Sequence, residues 1–186
     1  MEHFKRIRSS VPVQHLLDEI ATVPDAWQLN RGRQGQIKVQ REVDSIPIRG
    51  LRKSKIGGRK KWDVHESRFT YISAKFPRVR DCLQMLAQEL GGQLSRAKVV
   101  KLAPGAQVYP HSDRGEYYRV RDRYHLVLQS EAGNYLECGS ERVWMQPGEL
   151  WWFNNKLEHA AGNESAGDRI HFIFDLLSAQ PVALQD

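Results

Sequence analysis

Cysteine is scarce: two thiols, Cys82 and Cys138, stand in 186 residues. So few rule out a disulfide-built scaffold, and reduced thiols in a cytoplasmic setting are the expectation. Long apolar runs are lacking as well. The stretch from Ile170 to Leu177 carries His171 and Asp175 and is far shorter than the roughly 20 residues of a membrane-spanning helix. No apolar stretch follows the charged start Met1 to Arg6, so no secretory leader and no membrane partner are expected. Neither internal repeats nor low-complexity tracts occur. What is present is globular in balance, with 40% hydrophobic and 27% charged residues. A chain of this length buries roughly 70% of its unfolded surface, enough for one real core. We therefore expect a single domain over residues 1–186, with a helical and basic N-terminal segment 1–92 and a β core 93–178.

Positive charge is concentrated. Between Arg31 and Arg80 there are 15 Lys and Arg against 4 Asp and Glu, while the whole chain carries only +6. The remainder is therefore acidic. Such a segment reads first as a solvated loop face kept soluble by its charge, and otherwise as one that attracts nucleic acid or acidic peptides and metabolites. Nucleic acid is the less favoured partner, because Arg31 to Lys61 has little of the aromatic interleaving of a single-strand groove.

Val13, Leu16, Leu17 and Ile20 recur at helical spacing behind Pro12, with Ser10 as a cap. Pro77 opens a second helix, on which Val79, Leu83, Leu86 and Leu90 share a face that Gly91-Gly92 terminates. Ser45 to Arg49 reads as an edge strand because it contains Pro47, Thr70 to Ser73 as a strand, and Lys53 to Trp62 as a mobile loop. From Gln93 on, β-branched and aromatic runs alternate with turns. They cover 98–102, 124–129, 134–138, 142–145, 149–153 and 169–177. Strands so evenly spaced predict a sandwich or jelly roll.

The candidate chemistry lies in that half. His111 and Asp113 are two residues apart, which points both to one side of an extended segment. His159 follows Asp113 by 46 residues, after the turn Asn154-Asn155-Lys156, and Arg169 follows ten later. Two imidazoles and one carboxylate can hold one metal and leave three of six octahedral positions open, the pattern of the non-haem iron(II) facial triad. The same donors accept zinc or nickel, and affinity alone does not choose. A guanidinium such as Arg169 binds a carboxylate in a two-pronged fashion and keeps its charge at any working pH. Arg123 and His125 share one strand face, with Tyr124 on the other. Trp144, Trp151, Trp152 and Phe153 are core or rim, Asn154, Asn155 and Asn163 are turn residues, and 114–121 is either a lid or an ordinary polar loop.

These residues carry a resemblance. Leu102-Ala103-Pro104-Gly105, Pro110 to Asp113, Arg123 to Leu126, Pro147 to Asn154, Glu158-His159 and Arg169 to Asp175 resemble, in order and gaps, the aspartyl/asparaginyl β-hydroxylase family over about 80 residues. The resemblance implies a mainly β, double-stranded β-helix (cupin-like jelly roll) with helices packed on it. It also implies iron(II), dioxygen and 2-oxoglutarate as co-substrate. It makes His111 and His159 the iron histidines, joined here by Asp113, and Arg169 the 2-oxoglutarate arginine. Arg123 and His125 become further co-substrate contacts. Animal members carry glycine in place of the triad carboxylate, so Asp113 aligns this chain with the bacterial branch, which includes free-amino-acid hydroxylases. Val100 replaces a serine that contacts the co-substrate in the animal enzymes. The expected activity is hydroxylation of a C–H bond of an amino acid, free or in a peptide or protein. The alternatives are a cupin-like metal-binding or sensing module without turnover, an oxygenase of nucleic acid, and a zinc hydrolase, the last disfavoured because no general base accompanies the triad.

Overall fold

Two-residue alternation on the long strands sets the architecture, because it gives each strand two buried faces of different character. The computed structural model describes residues 1–29, 42–51 and 63–178. Its strands are β1 (Phe4–Arg8), β2 (Val43–Gly50), β3 (Arg68–Phe69), β4 (Gly92–Leu102), β5 (Gln107–His111), β6 (Asp122–Gln129), β7 (Asn134–Cys138), β8 (Glu141–Val143), β9 (Leu150–Phe153), β10 (His159–Asn163) and β11 (Arg169–Ser178). The helices are α1 (Gln14–Thr22), α2 (Pro77–Glu89) and the single turn α3 (Glu116–Arg119). Antiparallel pairing builds a larger sheet in the order β1-β9-β6-β11-β4-β2-β3 and a smaller one in the order β5-β10-β7-β8. The fold is mainly β, a jelly roll of two facing sheets with helices outside the larger one. No helix among the described residues is long and apolar enough to cross a membrane.

On β11, Ile170, Phe172, Phe174 and Leu176 join a core shared with Leu16 and Ile20 of α1 and Val79, Leu83 and Leu86 of α2. The alternate residues Arg169 and Ile173 face the other way and line a cleft between the sheets. Strand β6 behaves alike. Tyr124, Leu126 and Leu128 enter the helix-side core, whereas Arg123 and His125 line the cleft. A second apolar cluster, including Val100, Val127, Leu136, Trp151 and Phe153, closes the space between the sheets. One face of the larger sheet therefore provides stability and the other provides the site.

The segment 1–92 contributes three strands of the larger sheet as well as α1 and α2. Strand β2 covers the expected Ser45 to Arg49 but is not at the edge. The two-residue β3 pairs with Arg49 and Gly50, and Pro47 lies outside those pairs, so its missing N–H breaks no ladder bond. Thr70 to Ser73 is not a strand. The Thr70 hydroxyl donates to the Pro47 carbonyl (2.6 Å) and accepts the Ser73 N–H (3.1 Å), which tightens the backbone into the 3-10 turn Ile72–Lys75. Helix α1 begins after Val13 without a side-chain cap, so Ser10 does not play that part. The predicted loop Lys53 to Trp62 and most of the Gly- and Arg-rich stretch from Arg31 lie outside the described residues.

Helix α2 starts with Pro77 at its first position, and its cap comes from elsewhere in the chain. The buried Glu19 carboxylate accepts the N–H groups of Arg78 (2.8 Å) and Val79 (3.0 Å). A carboxylate on free N-terminal donors also meets the positive end of the helix dipole. Glu19→Ala is expected to lower stability by about 1–2 kcal/mol in urea denaturation. An unchanged midpoint would show that the bond ties α1 to α2 without stabilising the fold.

Candidate active site

Strand pairing brings the two histidines together. His111 ends β5, His159 begins β10, and the two are register partners in the smaller sheet, with ring centroids 4.3 Å apart. His111 Nδ1 lies 2.8 Å from the Tyr109 carbonyl, and His159 Nδ1 lies 2.9 Å from the Leu157 carbonyl. A carbonyl only accepts, so Nδ1 carries the proton in both rings. Each Nε2 is left with its lone pair and, among the described residues, no hydrogen-bond partner. This is the tautomer and orientation that metal-ligating histidines need. Burial drives the His159 pKa down to about 4, against the opposing pull of the Leu157 carbonyl and Asp113, so the ring is neutral at pH 7.

Asp113 lies two residues past the end of β5 and is held by Asn155. The Asp113 N–H donates to the Asn155 carbonyl (3.1 Å), and the Asn155 amide donates back to Asp113 Oδ2 (2.8 Å). Arg123 Nη1 donates to the same Oδ2 at 2.5 Å. Burial alone would raise this carboxyl, but Arg123, then Asn155 and the two histidines, hold it below its usual range. His159 Nε2 is 4.0 Å from Asp113 Oδ2, and ligand atoms of His111, Asp113 and His159 all lie within 4.8 Å of one another. Two free imidazole lone pairs and an ionised carboxylate make a donor set that fits one divalent cation.

The cleft beside this cluster, about 500 Å³ with its open mouth, contains His111 and His159 together with Lys98, Arg123, His125 and Arg169. Its walls are largely apolar, through Val43, Val100, Val108, Leu136 and Phe153. Arg169 is 3% exposed, yet no acidic partner and no side-chain hydrogen bond accompanies it among the described residues. Burial by itself lowers its pKa to about 10. His125 and His171 meet through their Nδ1 atoms at 3.3 Å, both held neutral first by burial and next by the charge of Arg169. Arg123 is matched differently. Asp175 grips it two-pronged, at 2.8 Å to Nε and 3.1 Å to Nη2, and burial is outweighed by Asp113 and Asp175, which keep its pKa well above normal.

Five of the six residues singled out in the sequence, His111, Arg123, His125, His159 and Arg169, line one cleft, and the sixth, Asp113, joins it through Arg123 and the two histidines. Three others were not foreseen. Asn155, read as a turn residue, holds the Asp113 carboxylate. Tyr117 was read only as part of the lid or polar loop 114–121, and Asp175 had no role, although it has a legible sign: it shares the period-two face of Arg169 and His171 on β11. Trp144, by contrast, is 45% exposed while Trp151 and Trp152 are buried. Within the stretch 114–121, Glu116–Arg119 forms α3, and its Tyr117 is fully buried rather than part of a polar loop.

The comparison that decides kinship is a family model. That of the aspartyl/asparaginyl β-hydroxylases matches residues 39–179. The chain belongs to the aspartyl/asparaginyl β-hydroxylase family. Within it, the chain is similar to L-proline cis-4-hydroxylase of Rhizobium meliloti (strain 1021), at 31% identity over 78 residues. That match covers 42% of this chain and 28% of the relative, so the chain spans little more than a quarter of the relative's length. Among solved structures, an oxidoreductase of the 2OG-Fe(II) oxygenase family from Burkholderia pseudomallei aligns over 91% of both chains, with a TM-score of 0.53 and 8% identity. At that identity the likeness concerns the jelly-roll fold. A predicted oxalate decarboxylase from Thermotoga maritima is more remote, at a TM-score of 0.37 over 50% of this chain and 72% of that one, with 16% identity.

Proposed function

We propose that this chain is an iron(II)- and 2-oxoglutarate-dependent hydroxylase, acting as one catalytic domain on a C–H bond of an amino acid, free or within a peptide. The observation that carries the reading is a three-donor cluster, His111, Asp113 and His159, whose two histidines line the same cleft as a buried arginine with no anion of its own among the described residues. An isolated buried charge is costly unless something pairs with it. A dicarboxylate that bound the metal by one end and the guanidinium by the other would satisfy both.

His111 and His159 would hold iron through Nε2, and Asp113 through its carboxylate. Bound there with 2-oxoglutarate and dioxygen, iron supplies the oxidising power that converts C–H to C–OH while 2-oxoglutarate leaves as succinate and carbon dioxide. Arg169 would pair with the distal carboxylate of the co-substrate. Arg123 spends three of its five N–H groups on Asp113 and Asp175, and two remain to donate, beside His125, toward the metal-proximal carboxylate. The apolar walls, Phe153 among them, exclude water and strengthen these charge pairs. Free amino acids, proline included, are favoured as substrates by the kinship with the bacterial proline hydroxylase.

The test combines binding and turnover. With Mn(II) present, calorimetry is expected to show one 2-oxoglutarate bound per chain, and without metal the affinity is expected to collapse. With iron(II), ascorbate and a panel of amino acids, succinate release and a mass gain of one oxygen are expected together. Absence of metal-dependent 2-oxoglutarate binding would reject the proposal whatever substrates were tried.

A further inference from the structure

Asp113 lies beyond the last residue of β5, where sheet pairing no longer fixes the chain. Its side chain is instead reached by a line of buried groups running in from the larger sheet. Tyr117 Oη donates to Asp175 Oδ2 at 3.0 Å, Asp175 holds Arg123 by two prongs, and Arg123 Nη1 ends on Asp113 Oδ2. We infer that Asp175 and Tyr117 are positioning residues that set the metal acid through Arg123. The inference rests on the reading of Asp113 as a metal ligand.

The geometry gives each member a distinct task. A lone arginine facing a lone carboxylate settles into a two-pronged pair that occupies both carboxylate oxygens. Asp175 prevents that here. It takes Nε and Nη2, the two donors of one edge of the guanidinium, and leaves Nη1 for Asp113. Both donors that reach the Asp113 carboxylate, Arg123 and Asn155, converge on Oδ2, and Oδ1 has no partner among the described residues. Formal charges agree. Asp113, Arg123 and Asp175 together carry −1, so a divalent cation is attracted rather than opposed by the arginine.

Tyr117 fixes the far end. It is fully buried, and its hydroxyl oxygen also accepts the Arg96 N–H at 2.9 Å. The guanidinium carbons of Arg96 and Arg121 lie 3.7 and 4.2 Å from its ring centroid. Arg121 is itself tied to the Ser95 hydroxyl at 2.7 Å and to the Tyr117 carbonyl at 3.1 Å. With donor and acceptor both assigned, the Tyr117 hydroxyl has one direction to offer Asp175. The short helix α3 thus becomes the outer anchor of the metal acid, although its own residues are not ligands.

The experiment is a Co(II) titration of the full chain, followed by the visible absorption of the bound ion, which reports its ligand geometry, with the thermal midpoint of the metal-free protein measured in parallel. Partners of metal ligands typically contribute 10- to 100-fold to metal affinity. For Asp175→Asn we expect a dissociation constant raised by roughly that factor, with an altered Co(II) spectrum. For Tyr117→Phe we expect a rise of roughly 3- to 10-fold. Ser95→Ala loosens the Arg121 anchor but lies outside the line, and is expected to lower the midpoint while leaving Co(II) affinity and spectrum as in the wild type. Wild-type Co(II) binding by both Asp175→Asn and Tyr117→Phe would overturn the inference. If Asp175→Asn does not fold, unchanged affinity in Tyr117→Phe overturns it alone. A wild-type chain that takes up no Co(II) would instead sink the metal reading itself, and the positioning line with it.

Discussion

Arg169→Met is expected to do two opposite things at once: raise the 2-oxoglutarate concentration needed for half-saturation by roughly 10²–10³-fold, and make the ligand-free protein more stable. Both follow from one fact, that this guanidinium is buried without a carboxylate or hydrogen-bond partner among the described residues. In the proposed complex its loss leaves the distal carboxylate of 2-oxoglutarate in an apolar cleft with nothing to pair with. Truncation of one partner of a buried charged pair costs about 2–5 kcal/mol, which is the fold-change expected here. In the free state the arithmetic reverses, because an unmatched buried cation opposes folding and methionine of similar volume does not. A gain of about 1–3 kcal/mol in urea denaturation is expected, in keeping with a pKa pulled from its ordinary value to about 10. A structural arginine would behave otherwise, with Arg169→Met losing stability and leaving 2-oxoglutarate affinity alone.

His159→Ala carries the second large effect: loss of high-affinity metal and a fall in coupled succinate release of at least about 10³-fold. On the proposed reading the ring is one of three protein ligands, and it stands already neutral and with Nδ1 engaged, so binding requires no proton loss and little reorientation. Its removal leaves His111 and Asp113, on neighbouring positions of one segment, and no donor from the opposing strand. His111→Ala is expected to match it, because the two are register partners and neither substitutes for the other. Folding is expected to survive, since neither histidine belongs to the helix-side core. Retention of full metal affinity in either variant, with native circular dichroism, would remove that histidine from the site.

Much of the site could be read in the sequence because its spacing has a direct geometric meaning. Two residues apart on an extended segment means one side, and Arg123 and His125 share a face of β6 for that reason; His111 and Asp113 also come together, but Asp113 lies past the end of β5 and is held there by Asn155. The partnerships of Arg123 could not be read. Nothing local says that a guanidinium on β6 will be split between an acid 10 residues before it and another 52 residues after it. Asn155 was hidden for a similar reason, since its role depends on how segments far apart in sequence come together, whereas Asp175 had only its shared face with Arg169 on β11 to mark it. Strand content was legible where β-branched and aromatic residues cluster, as in β6, β9 and β11. It was not legible in β1, whose Phe4-Lys5-Arg6-Ile7-Arg8 is mostly charged and pairs by virtue of β9 alone. Nor was it legible in β10, where His159-Ala160-Ala161-Gly162-Asn163 has poor strand propensity. There, pairing with β5 and β7 on both sides decides the conformation. Gly162 has a local reason as well, since any side chain at that position would run into the Tyr135 ring.

The most direct test is a crystal structure of the full chain grown with Mn(II) and 2-oxoglutarate without dioxygen. The account predicts one anomalous scattering peak bonded to His111 Nε2, His159 Nε2 and an Asp113 oxygen, with the co-substrate reaching from that ion to the Arg169 guanidinium. A metal bound elsewhere, or a co-substrate whose free carboxylate does not touch Arg169, would contradict it.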